Sequence, residues 1–204
     1  MRNTLTFGFI FLFFISCKYQ KIEKKPVIEL YLTKTRIKSS QGVAIDDSII
    51  DSLGYTDSKN RFNFNIIRLD TTSNQLIFAG EFKATKRDLK DKPFLEAHRI
   101  IRFNHKNGHL VVDSIGAKRI SELSNSNNIG HQFVLTLDNE PKLFGYFYSY
   151  PFSFYCHTYN YDFSREIQKK EFELTHGIHG RKVNLEKENY ELFSILNKTK
   201  IRRE

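Results

Sequence analysis

Residues 108–145 read GHLVVDSIGAKRISELSNSNNIGHQFVLTLDNEPKLFG, and the spacing of their apolar side chains changes period along the way. His109 to Asp113 is a short strand carrying Leu110 and Val112. From Ser114 to Leu123, Ala117, Ile120 and Leu123 fall on one helical face, with Lys118, Arg119 and Glu122 on the other, which predicts an amphipathic helix near 114–123. From Gln132 the period drops to two, and Phe133, Leu135 and Leu137 line one face of a strand. Asp138-Asn139-Glu140-Pro141 is turn chemistry and leads into a further strand over Lys142 to Ser149. The unit is coherent by itself, because the helix face can cover Phe133, Leu135 and Leu137.

Elements of the same kind lie on either side. Pro26 marks the entrance to a strand over Val27 to Thr35, in which Ile28, Leu30 and Leu32 alternate with Glu29, Tyr31 and Thr33. Ser39 to Lys59 is rich in turn residues around Ile49, Ile50 and Leu53 and has room for one helical turn. Strands at Phe62 to Ile66 and Leu76 to Phe82 are expected to pair as a hairpin across Asp70-Thr71-Thr72-Ser73-Asn74. Thr85 with Asp88 caps a short turn ended by Pro93. Strands at Arg99 to Asn104 and His109 to Asp113 flank the turn His105-Lys106-Asn107-Gly108. After a strand over Phe152 to Tyr161, Asn184 caps a C-terminal helix reaching about Asn197, with Glu186 and Glu188 near its start and Lys198 and Lys200 near its end. There is no internal repeat. The expected fold class is α+β, a mostly antiparallel sheet with a few packed helices, in a single domain over residues 27–204.

The run 108–145 resembles the head subdomain of the first periplasmic domain of SecD-type protein-export subunits. In that family a strand leads into a helix beginning near Gly-Ala-Lys, a linker ends near Gly, and an apolar strand closes in an Asp-Gly-Glu-like turn. Gly116-Ala117-Lys118, Gly130 and Asp138-Asn139-Glu140 hold the matching places. The resemblance implies a periplasmic sheet-and-helix module of a kind that, in the export protein, contacts unfolded passenger chains. Those residues are structural rather than chemical, and the sequence has no further membrane spans with which to couple proton flow to export.

The stretch FGFIFLFFISCKYQ, Phe7 to Gln20, sets the expected location. The uncharged run from Asn3 to Cys17 makes roughly 22 Å of helix against a hydrocarbon core of about 30 Å, too short to span. Arg2, the apolar Leu5 to Ile15 and the small Ser16 follow the order of a secretory signal. Phe14-Ile15-Ser16-Cys17 resembles the lipobox of bacterial lipoproteins, with Phe14 where that family usually has Leu. The resemblance implies cleavage of the signal peptide 1–16 and acylation of Cys17 with diacylglycerol and a further chain such as palmitate, holding a basic tether over 17–26. Lys18 stands where an inner-membrane retention signal has Asp, which points to the outer membrane, and the tether of Lys18, Lys21, Lys24 and Lys25 lacks the acidic cluster that accompanies outside display, which points to its periplasmic face. The whole chain also resembles the small Lys-, Asn- and Phe-rich lipoproteins of Bacteroidota-type bacteria.

Loss of residues 1–16 removes Arg2 and takes the formal charge from +9 to +8. An exported basic chain meets anionic head groups and envelope polymers, so the expected partners are membrane lipid and an envelope or secreted protein, with no nucleic acid. With Cys17 acylated, Cys156 has no thiol to pair with, and its alternation with Phe152 and Phe154 reads as a small buried hydrophobe. Phe144 to Phe163 holds too many rings for one buried face. Tyr146, Tyr148, Tyr150 and Tyr155 are the candidates for a binding platform, the alternative being a two-sided strand pair covered by Tyr190, Phe193 and Leu196. His176-Gly177-Ile178-His179-Gly180 is the best metal candidate by residue type, His176 and His179 being the ligands, against a glycine turn with solvated histidines. No nucleophile elbow, phosphate-binding glycine loop or Cys-x-x-Cys is present, and Asp46, Asp47 and Asp51 read as a solvated acidic loop. The sequence therefore favours a non-catalytic peptide- or protein-binding module, without cofactor, working through an open sheet edge or the aromatic stretch. The alternatives are an envelope hydrolase with dispersed or histidine-based metal residues, and an inhibitor or immunity lipoprotein.

Overall fold

The computed structural model describes residues 26–54, 64–123, 129–148, 156–163, 169–177 and 180–201. In chain order, β1 (Ile28–Leu32) is followed by β2 (Val43–Ala44), helix α1 (Asp47–Ser52) and the hairpin β3 (Arg68–Asp70) and β4 (Gln75–Ile77). Next come β5 (Ile100–Phe103), β6 (Leu110–Val112), α2 (Ser114–Ser121), β7 (His131–Leu137) and β8 (Glu140–Tyr148). The last part holds β9 (Tyr159–Asp162), β10 (Glu171–Phe172), β11 (Leu174–His176), β12 (Arg181–Lys182), α3 (Leu185–Glu188) and α4 (Tyr190–Ile201). The fold is α+β and mostly antiparallel. Its main sheet runs β1-β7-β8-β9-β11-β12, beside two three-stranded sheets, β10-β6-β5 and β2-β3-β4.

β7 is central, and it is buried on both faces. On one face Phe133, Leu135 and Leu137 join Leu30, Ala117, Ile120, Phe147, Tyr161, Leu192 and Leu196 in the larger core, so the helix expected to cover this strand does cover it. On the other face Val134 meets Tyr146, Tyr148, Phe82, Ala79 and Cys156 in a smaller cluster. Asp113 caps α2 by accepting from Gly116 N–H at 2.7 Å. Gln132 is the polar member of the smaller layer and is satisfied there: Oε1 accepts from Ile37 N–H at 2.7 Å, and Nε2 donates to Ile37 O at 2.8 Å and to the Tyr146 hydroxyl at 3.2 Å. The Tyr146 hydroxyl in turn donates to Gly80 O at 2.9 Å. These bonds draw the segments around Ile37 and Gly80 over the second face.

β8 pairs antiparallel with β7, and its register jumps between Leu135↔Leu143 and Thr136↔Pro141, leaving Lys142 as the extra residue of a bulge. The freed Lys142 carbonyl accepts from Asn189 Nδ2 at 3.1 Å, and Lys142 Nζ pairs with Glu191. Where the spacing predicts one C-terminal helix there are therefore two: Asn184 caps α3, and Asn189, off helical geometry, takes the Leu192 N–H at 3.2 Å and starts α4.

Two other expectations shift. Of the strand expected at 62–66, residues 62 and 63 lie outside the described residues and Phe64 to Ile66 form a turn; the strand that pairs with β4 lies later, at β3, because Asp70 accepts the Thr72 N–H and the Ser73 hydroxyl and so fixes the hairpin's tip. Of the strand expected over 152–161, residues 152–155 lie outside the described residues. β9 runs parallel to β8, pairing Tyr146↔Asn160, Phe147↔Tyr161 and Tyr148↔Asp162.

Gly145 sits where β8 meets β9. A Cβ there would lie 2.6 Å from Tyr159 O and 2.7 Å from the Phe133 ring. Gly145→Ala is expected to cost about 1–3 kcal/mol of stability by overpacking, read as a lower denaturant midpoint with an unchanged slope.

Candidate functional site

Three strands place three side chains in one row. In β11, His176 pairs with Tyr159 of β9 on one side and with Arg181 of β12 on the other, and directly opposed residues of antiparallel strands share a face. The β11–β12 turn is made by Gly177 and Gly180, at φ 75° and 60°, with Gly180 N–H donating to Gly177 O at 3.0 Å. The glycines of this stretch thus serve a hairpin. The Tyr159 ring meets the His176 ring edge-on at 4.8 Å and 82°.

Because β9 pairs with β8 only from Tyr146 onward, the first half of β8 has no strand on that side among the described residues. A cleft of about 400 Å³ opens at this step. Its walls include Leu143 and Phe144 of β8, the Tyr159–His176–Arg181 row, Phe82 and Lys83 from the segment after β4, and Glu188 at the end of α3. Arg181 donates to both Glu188 oxygens, at 2.7 and 3.1 Å, and Glu188 also accepts the Asn184 N–H at 3.0 Å. Burial pushes the Glu188 carboxyl upward, but the bonds from Arg181 and Asn184 outweigh it and hold the group below its ordinary range. Tyr159 is pushed well up, first by burial and then by the nearby Glu188 carboxylate. His176 is lowered by burial and by Arg181, against the opposing pull of Glu188 and Glu81. Near neutral pH the site therefore holds a neutral imidazole, a neutral phenol and an internally balanced ion pair, with exposed Lys83 and Glu81 at its rim. Glu188 is committed to Arg181 and the Asn184 N–H and acts on Tyr159 and His176 through its charge.

The residues singled out in the sequence are dispersed. Tyr146 and Tyr148 are each 1% exposed and belong to the smaller core cluster, which corrects their reading as surface contacts. Burial pushes the Tyr146 hydroxyl up to about 12 and raises Tyr148 well above its ordinary value. Tyr150, Tyr155, His179 and Cys17 lie outside the described residues. Among the described residues no group of three or more His, Cys, Asp or Glu side chains is placed to hold a metal ion. Cys156 is fully buried and its thiol is pushed up to about 12, chiefly by burial, the state of a packed hydrophobe.

The expected open edge is also modified. β1 is covered along its outer side by Leu30 N–H to Leu95 O at 3.0 Å and Lys90 N–H to Leu32 O at 3.0 Å, and the opposite edge is the two-residue β12. Of the cleft residues, His176 was visible in the sequence as a ligand candidate and Glu188 only as a charge near a helix start. Tyr159 and Arg181 join them through pairing that no local pattern announces. No known family matches this chain, and no curated protein or solved structure matches it.

The depressed His176 has a measurable consequence. Its imidazole is expected to titrate below the ordinary value of 6.5 when followed by NMR. The unfolded chain then takes up this proton first, so the stability contributed by the neutral ring is complete above about pH 6.5 and is lost as pH falls through the lower folded value. His176→Gln should flatten that part of the stability profile.

Proposed function

We propose that the chain is a lipid-anchored cell-envelope protein, attached through acylated Cys17 and facing the periplasm, whose domain binds an extended segment of another protein without catalysis. The observation that carries this reading is the Tyr159–His176–Arg181 row set beside Phe144 in an open, preformed cleft. Ring faces offer large contact area at small entropic cost, while His176 and Ser40 offer hydrogen-bonding groups that suit a peptide backbone. Charges of both signs line the cleft, which suits the mixed composition of a polypeptide better than a uniformly charged polymer. The commitment of Glu188 to Arg181 favours binding over general-base chemistry, since among the described residues no carboxylate is hydrogen-bonded to His176. The lipobox-like residues 14–17 and the SecD-like run 108–145 support the envelope setting as resemblances.

A photo-crosslinking residue at position 83, on the cleft rim, tests this in intact cells against the same residue at Ile115 of α2, an exposed position that does not line the cleft. Protein adducts specific to position 83 are expected. They should fall at least about tenfold in Tyr159→Ala and persist in Tyr159→Phe, which keeps the ring. Equal adducts from both positions would overturn the proposal, as would turnover of envelope polymers abolished by His176→Ala with the fold intact.

A further inference from the structure

A second concave site lies where the chain leaves β1 and is built differently. The chain leaving β1 over Thr33 to Arg36, together with Lys90 and the start of β7 from Ile129 to Gln132, encloses a cavity of about 290 Å³. Lys34, Arg36 and Lys90 line it, with His131, and among the described residues its wall holds no carboxylate. Arg36 is fixed in place: Nη1 donates to Ile129 O at 2.7 Å and Gly130 O at 3.1 Å, Nη2 donates to Phe78 O at 2.9 Å, and the guanidinium stands 5.2 Å from the centre of the Tyr146 ring. Carbonyl dipoles and a ring face orient the cation and leave its unit charge uncancelled. Lys90 has no ion-pair partner among the described residues. Lys34 pairs with Asp91 at 2.9 Å, but that carboxylate is 88% exposed and outside the cavity wall, in the class of surface pairs that contribute little.

Three cations thus face one small cavity, one of them locked in position by the same segment that covers β7. Concave walls of one sign concentrate counter-ions. A carboxylate supplies a single negative charge, whereas a phosphate monoester carries about −1.5 to −2 near neutral pH and offers several acceptor oxygens to Lys and Arg. The volume is at the small end of ligand sites, enough for a phosphorylated head and little more.

We propose that the cleft formed by Lys34, Arg36 and Lys90 is a binding site for a phosphate monoester. The chemistry is shared by a phosphatidic acid head group and by a soluble phosphate ester, and the site is independent of the His176 cleft.

The test titrates the full chain in zwitterionic detergent micelles, with backbone amides of residues 129–132 followed by NMR. One arm adds glycerol 3-phosphate and the other dopes the micelles with phosphatidic acid. Saturable shifts at these amides are expected in at least one arm, and the tighter arm identifies the source. Lys90→Gln, whose side chain makes no contact needed by the core, should weaken binding roughly fivefold while keeping the native spectrum. Lys34→Gln should act in the same direction. The proposal is overturned by the absence of saturable shifts in both arms, by equal shifts from chloride at matched ionic strength, or by unchanged affinity in Lys90→Gln.

Discussion

Six consecutive residues of β7, Gln132 to Leu137, are withdrawn from water, and a strand buried on both faces obliges the chain to supply two covering layers. The thicker layer comes from α2, α4 and the apolar faces of β6 and β9, and hydrophobic burial suffices to hold it. The thinner one contains a polar residue. Gln132 is 4% exposed, and losing one of its partners would leave a buried amide unsatisfied at a cost of about 1–3 kcal/mol. Its bonds to Ile37 and Tyr146, and the bond from Tyr146 to Gly80, therefore select one placement of the covering segments from the many that apolar contact would tolerate.

Both concave sites follow from this arrangement. The segment held at Ile37 carries Arg36, so the fixed cation of one cleft and the cover of β7 are neighbours in the chain. The segment held at Gly80 continues into Glu81, Phe82 and Lys83, which wall the other cleft. The remaining wall depends on β8: the bulge at Lys142 docks Asn189, which separates α3 from α4 and leaves Glu188 facing Arg181. Two ligand-sized openings are thus held by regular strands and by a satisfied polar network, which favours preformed binding surfaces over induced ones.

Local periodicity made much of this legible. The α2 face, the β7 alternation, the Asp138–Asn139 turn at positive φ and the caps at Thr85 and Asn184 are short-range signals, and each appears where its residue types require. The parallel β8–β9 pair, the passage of the chain from β10 to β11 between two sheets and the bulge at Lys142 are matters of pairing between distant segments, on which a period-two pattern is silent. The tyrosines show the same limit. The count of rings left a surface platform and a covered two-sided strand pair both open, and only the segments around Ile37 and Gly80 decide that Tyr146 and Tyr148 are covered, while Tyr159 becomes a surface wall because β9 begins where β8 is already half spent.

Native-state hydrogen exchange of the full chain tests the dependence on β7 most directly. If two-sided burial governs the fold, the hydrogen-bonded amides of β7 and their partners in β8 exchange only through global unfolding, and Gln132→Ala speeds exchange around Ile37 and Gly80 well before it reaches α2. Exchange in β7 no slower than in α4, or a Gln132→Ala variant in which the segments around Ile37 and Gly80 keep their protection, would contradict the account.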